Sequence, residues 1–147
     1  MAAVLTSDNL RSAWKRVKAN KGAPGIDGIA IEDFPAYLRA HWEDIRSQLE
    51  TGCYRPQAVR RVEIPKDDGG KRLLGIPTVM DRVIQQAVAQ VLTPIFDPGF
   101  SESSFGFRPG RNAHQAIKQV QGHVKAGYAI AVDITSPSSS TPSITTC

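Results

Sequence analysis

The sequence predicts an α+β fold with four main helices, one β-hairpin and one further strand. Three observations carry this. Apolar residues recur at helical spacing in four separate segments. Two strand-like arms flank Asp67-Asp68-Gly69-Gly70, a tip whose glycines supply positive φ. A run rich in β-branched and small apolar residues, Tyr128 to Ile134, follows the last helix.

Each element has a local reason. Ser7 or Asp8 can cap a first helix, and Leu10, Trp14 and Val17 give it one apolar stripe. That helix should end near Asn20, because the run Lys21 to Gly28 holds three glycines and a proline. A second helix is expected from about Ile31 to Glu50. Its stripe is Phe34, Leu38, Trp42, Ile45 and Leu49, and Gly52 stops it. The hairpin arms are Ala58 to Pro65 and Lys71 to Pro77. Period 2 puts Val59, Arg61 and Glu63 on one face and Arg60, Val62 and Ile64 on the other, so the alternation is imperfect. A third helix, about Met80 to Phe96, carries the widest apolar face, formed by Val83, Ile84, Ala87, Val88, Val91, Leu92 and Ile95, with Pro94 bending or ending it. The segment 97–111 is a loop. A fourth helix runs from Asn112, a candidate N-cap, to about Lys125, with Ala116, Ile117, Val120 and Val124 expected inward. The last strand then leads into TSPSSSTPSITTC, residues 135–147, which has neither periodicity nor charge and reads as disordered.

Composition narrows function. The net charge is +4, and it is uneven: residues 1–50 balance seven basic against seven acidic side chains, so residues 51–147 carry the whole excess. Two basic segments, around Arg55 to Arg72 and Arg108 to Lys125, favour a polyanionic partner. Only Cys53 and Cys147 occur, so no disulfide framework or zinc spacing is present, and the three histidines lack ligand spacing. No long apolar run and no signal-peptide pattern is seen; the expectation is a soluble, cytoplasmic protein without membrane contact.

Four runs, in order, carry a family resemblance: NKGAPGIDG, IPKDDGGKRLLGIPTVMDRVIQQAV, SSFGFRPGRNAHQAI and AIAVDI. Together they resemble the N-terminal half of a group II intron-encoded reverse transcriptase, over roughly residues 8–134. The resemblance implies the fingers of a right-hand polymerase plus the first palm strand, with an RNA-directed DNA polymerase activity often joined to maturase binding of intron RNA. It implies Mg²⁺ as cofactor, because two-metal nucleotidyl transfer needs oxygen ligands. Asp133 matches the first catalytic, metal-binding carboxylate and the carbonyl of Ile134 the next metal contact. Lys66 and Arg72 match the fingers residues that touch the incoming dNTP, with Lys71 as runner-up. Arg82, Arg108 and Arg111 match positions near template, the partners being an RNA template or intron RNA, an RNA–DNA duplex and dNTP.

Each residue also has a plainer reading. Asp133 alone is a strand-end carboxylate. Lys66, Lys71 and Arg72 could be solubilising charges guarding an exposed hairpin edge. Asp81 could serve the dipole or cap of its helix, with Arg82 as its ion-pair partner. Arg108 reads first as a loop-fixing side chain, and Phe105 and Phe107 as core anchors rather than stacking platforms.

The sequence also departs from the family pattern. Thr135 stands where a second Asp is expected, and the Ser/Thr/Pro tail stands where the palm would continue. The expectation is therefore a fragment of the polymerase that is inactive alone and binds Mg²⁺ poorly, if at all. The alternative is a non-catalytic RNA-binding module or a pseudogene product. An unpartnered last strand would invite self-association.

Overall fold

The computed structural model describes residues 1–65, 69–132, 134 and 144–146. They form helices α1 (Ser7–Ala19) and α2 (Phe34–Glu50), strands β1 (Arg60–Pro65) and β2 (Lys71–Ile76), helices α3 (Val79–Phe96) and α4 (Ala113–Lys125), and strands β3 (Ile130–Val132) and β4 (Ile144–Thr146). The chain divides into two compact units, Met1–Phe96 and Asp97–Cys147. Four helices and an antiparallel hairpin make this the expected α+β fold.

The first unit holds the core. Ala13 and Val17 of α1, Phe34, Ile45 and Leu49 of α2, and Val79, Met80, Val83 and Ala87 of α3 pack into one apolar cluster with Ile31. Burying a side chain such as Phe34, 1% exposed, stabilises by roughly 1.5–3 kcal/mol. Polar contacts fix how α1 meets α3. The Asn9 amide donates to the Ala87 carbonyl at 3.0 Å, and Gln90 donates back to Asn9 Oδ1 at 2.6 Å. Helix α2 begins at Phe34, three residues after the expected start. Pro35 explains the difference: it lacks an N–H and is tolerated only in a first turn.

Strands β1 and β2 pair antiparallel, from Arg60 opposite Ile76 to Pro65 opposite Lys71. Gly69 at the tip has φ +81°, and Gly75 is needed because a Cβ there would sit 2.8 Å from Val59 Cγ2. Pro94 lies inside α3, which runs on to Phe96. The first half of that helix is buried as expected. Leu92 and Ile95 are not, being 43% and 65% exposed.

In the second unit, Asn112 caps α4 in a reciprocal box with Gln115. The expected inward face of α4 is open instead. Ile117, Val120 and Val124 are all at least half exposed. The last strand is shorter than expected, and it has a partner. Ile130–Val132 pairs antiparallel with Ile144–Thr146, within the segment read as a disordered tail. Three-residue pairing needs only backbone groups, which explains how a segment of Ser, Thr and Ile can join it. The rest of that tail, 135–143 and Cys147, lies outside the described residues. Among the described residues, no helix is long and apolar enough to cross a membrane.

Candidate nucleic-acid interface

The hairpin sorts its cations by face. Pairing of Ile64 with Arg72 and of Pro65 with Lys71 places the two cations on opposite faces. Lys71 lies on the same face as Glu63, and its Nζ reaches Glu63 Oε2 at 2.6 Å. This exposed pair is worth at most about 1 kcal/mol, but it neutralises Lys71. Arg72 is exposed, and no ion pair among the described residues reaches it. Arg60, at the root of the same face, has a buried Nε without a hydrogen-bond partner. Lys66 lies outside the described residues.

At the hairpin's foot, the first turn of α3 is tied to the segment leading into β1. The Asp81 carboxyl group, 2% exposed, accepts from Tyr54 Oη at 2.7 Å, the Gln57 amide at 3.2 Å and Thr78 Oγ1 at 2.7 Å. Thr78 Oγ1 in turn accepts from the Asp81 amide at 3.1 Å. Burial, reinforced by the Asp81 hydrogen bond, pushes the Tyr54 phenol well above its ordinary pKa, so it stays protonated and donating. One reading gave Asp81 to the dipole or cap of its own helix. It does lie in that first turn and bonds the capping Thr78, and its carboxyl group also reaches the segment leading into β1. The spacing Thr78-x-x-Asp81 was the available sequence signal, since Ser or Thr followed three residues later by an acid marks a capping box. Tyr54 carried none.

Arg82, next to Asp81, turns the other way. Its Nη2 donates to the Ala23 carbonyl at 2.8 Å, so the guanidinium holds the glycine-rich loop. Burial draws its pKa below the ordinary value, with the charge of Asp27 working against that. Gly25 packs against the start of the same helix: a Cβ there would lie 2.6 Å from Thr78 Cα. Lys21, with φ +46°, and Gly28, with φ +70°, turn the chain on either side.

The arginine loop of the second unit is internally satisfied. Arg108 donates to Asp97 Oδ1 at 2.8 Å, the Asp97 carbonyl at 2.8 Å and the Ser101 carbonyl at 2.9 Å, and its side chain is 9% exposed. Its hydrogen bond holds the Asp97 carboxyl below the usual range. Arg111 donates to the Glu102 carbonyl at 2.7 Å and lies over the Phe105 ring, 5.5 Å from its centroid. Phe107 was expected in the core and is fully exposed, with φ +56°. A bulky residue in that region stores strain, and the bonds of Arg108 and Arg111, not the packing of Phe107, hold the loop. Asp133 lies outside the described residues, and Ile134 is 89% exposed. Among the described residues no group of three or more His, Cys, Asp or Glu could hold a metal ion.

The hairpin thus leaves Arg72 without an ion pair among the described residues, while Arg82 and Arg108 each brace a loop within their own unit. Residues 64–137, half of the chain, match the reverse transcriptase (RNA-dependent DNA polymerase) family. The chain belongs to that family, in its group II intron-encoded branch. It is 36% identical over 135 residues to protein YkfC of Escherichia coli K12, covering 86% of this chain and 35% of that one. It is 38% identical over 119 residues to the group II intron-encoded protein LtrA of Lactococcus lactis, covering 80% of this chain and 20% of that one. Nuclear intron maturase 1 of Arabidopsis thaliana is 42% identical over 52 residues, 35% of this chain and 7% of the maturase. The chain thus spans about a third or less of the length of these relatives. Reverse transcriptases generally use a divalent metal, and this family implies nucleic-acid partners such as intron RNA.

Proposed function

We propose that this chain supplies the fingers of a group II intron reverse transcriptase, gripping the dNTP triphosphate and the template–primer. Arg72 is the observation that carries the reading. It is an exposed guanidinium on a stiff hairpin, on the face away from the neutralised Lys71, and its planar fork suits two phosphate oxygens. Lys66, across the tip in sequence, would add a second positive charge. Arg82, Arg108 and Arg111 act here mainly as loop clamps, because their donors already meet carbonyls and carboxylates. They present backbone and loop surface to template or intron RNA rather than free charge. Asp133 and the Ile134 carbonyl would contribute to holding Mg²⁺, which supplies activation of the primer hydroxyl and stabilisation of the leaving pyrophosphate. One matching carboxylate does not fill a two-metal site, so by itself the 147-residue chain binds and does not polymerise.

The test is dNTP binding by the purified chain, followed with a fluorescent dNTP analogue. Arg72→Ala should weaken binding at least tenfold, and Lys71→Ala less than twofold. The reverse order would move the site to the other hairpin face. RNA affinity should fall steeply with salt. Primer extension with Mg²⁺ and dNTPs should yield no product, and any extension by the chain alone would overturn the inactive reading.

A further inference from the structure

The first unit has an apolar trough that the polymerase reading does not use. Leu10 and Trp14 of α1 form one wall, Leu38 and Trp42 of α2 the other, Phe34 lies at its base, and Ile84 of α3 lines it too. It encloses about 420 Å³. Both tryptophans of the chain line it. Phe34, Leu38 and Trp42 are spaced i, i+4 and i+8, so the trough follows α2 for about 12 Å, slightly more than two helical turns. That length suits a helix presenting anchors at i, i+3 or i+4, and i+7.

Charge at the rim gives the occupant's sign. Arg11 and Arg39 stand at the edge against Glu43 alone, and Arg11 meets Asp8 only at 3.8 Å with both side chains largely exposed. Lys15 and Lys18 continue the basic row along α1 beside Trp14, and no ion pair among the described residues reaches either. The walls themselves offer almost no polar group. A nucleobase inserted there would press its ring nitrogens and carbonyls against carbon without partners, which argues against RNA in the trough. An apolar helix face loses nothing by the same burial.

We propose that the α1–α2 trough is a docking site for an amphipathic helix of a protein partner, one with apolar anchors over two turns and acidic side chains flanking them. This site is separate from the hairpin and does not rest on the polymerase reading.

The two tryptophans make it testable on the whole chain. The probe is a synthetic amidated peptide helix with Leu along one face and Glu on the other. Titration should shift tryptophan emission to the blue with saturation. Fluorescence anisotropy of the labelled peptide should give the same affinity. Replacing every Glu of the peptide with Lys should weaken binding at least tenfold. In the chain, Leu38→Glu should abolish binding. Arg39→Glu, on an exposed position that leaves the core intact, should weaken it at least fivefold; circular dichroism melting confirms that both variants are folded. No saturable shift, equal binding of the Lys peptide, or indifference to Arg39→Glu would each overturn the proposal. So would an RNA oligonucleotide that displaces the peptide and loses its own binding in Leu38→Glu.

Discussion

At the residue scale, Asp81 decides the most. It satisfies three donors from two segments while almost fully buried, so removing it strands all three. Asp81→Ala should cost roughly 3 kcal/mol in urea denaturation, and Tyr54→Phe about 1.5 kcal/mol, since each buried polar group left unpaired costs about 1–3 kcal/mol. A loss below 0.5 kcal/mol for Asp81→Ala would show the network does not form. Asp97 gives a pH-dependent counterpart. The Arg108 hydrogen bond lowers its pKa in the folded loop relative to the ordinary 3.8. A carboxyl with a depressed folded pKa contributes stability above its unfolded pKa, and that contribution fades as pH falls through the folded one. Carbon-13 NMR of the Asp97 carboxyl should therefore give a midpoint below 3.8, and Arg108→Ala should return it to the ordinary value. A midpoint at or above 3.8 in the unaltered chain contradicts the pairing.

At the scale of elements, the glycine-rich loop and the start of α3 form one assembly, and two glycines test it differently. At Gly25 a Cβ meets the Thr78 backbone at 2.6–2.8 Å, which cannot move without displacing the helix start. Gly25→Ala should destabilise by about 1–3 kcal/mol, the usual cost of overpacking. At Gly22 the obstacle is the tip of Arg82, a flexible side chain. Gly22→Ala should cost under about 0.5 kcal/mol and should release Arg82 from Ala23. The Arg82 side-chain NMR signals report that release. Equal costs at the two positions would mean that backbone contact is not what demands glycine.

These elements also show what could be read in the chain beforehand. The hairpin itself was legible, as two arms on either side of Asp-Asp-Gly-Gly. The Asn112 cap and the α2 stop at Gly52, with φ +73°, follow from local chemistry alone. The basic hairpin was equally visible, but which of its cations stays unpaired was not. That depends on Glu63 lying on the Lys71 face, a matter of register rather than composition. The Tyr54–Asp81 bond spans 27 residues, and nothing local to Tyr54 announces it. The pairing of β3 with β4 was hidden for a related reason: backbone groups carry it, and backbone groups leave no mark in a Ser/Thr-rich sequence.

At the scale of the whole molecule, stability is lopsided. Among the described residues every buried side chain lies between Ala13 and Ala87, and α4 buries none. Helical periodicity in α4 predicted an inward face, because a pattern specifies amphipathicity without guaranteeing a covering layer. The same substitution in the two units should then behave oppositely. Ile45, 7% exposed, sits in the core cluster, so Ile45→Ala should cost roughly 2–5 kcal/mol by urea denaturation. Ile117, 55% exposed, should lose less than about 0.5 kcal/mol on the same change. Tryptophan fluorescence follows only the first unit, since Trp14 and Trp42 both lie there, so hydrogen exchange must report on the second. Amides of α1 and α3 should exchange only by global unfolding. Those of α4 should exchange through local opening at far lower free energy. Comparable protection in α3 and α4, together with a large cost for Ile117→Ala, would mean that the apolar face of α4 is covered in solution.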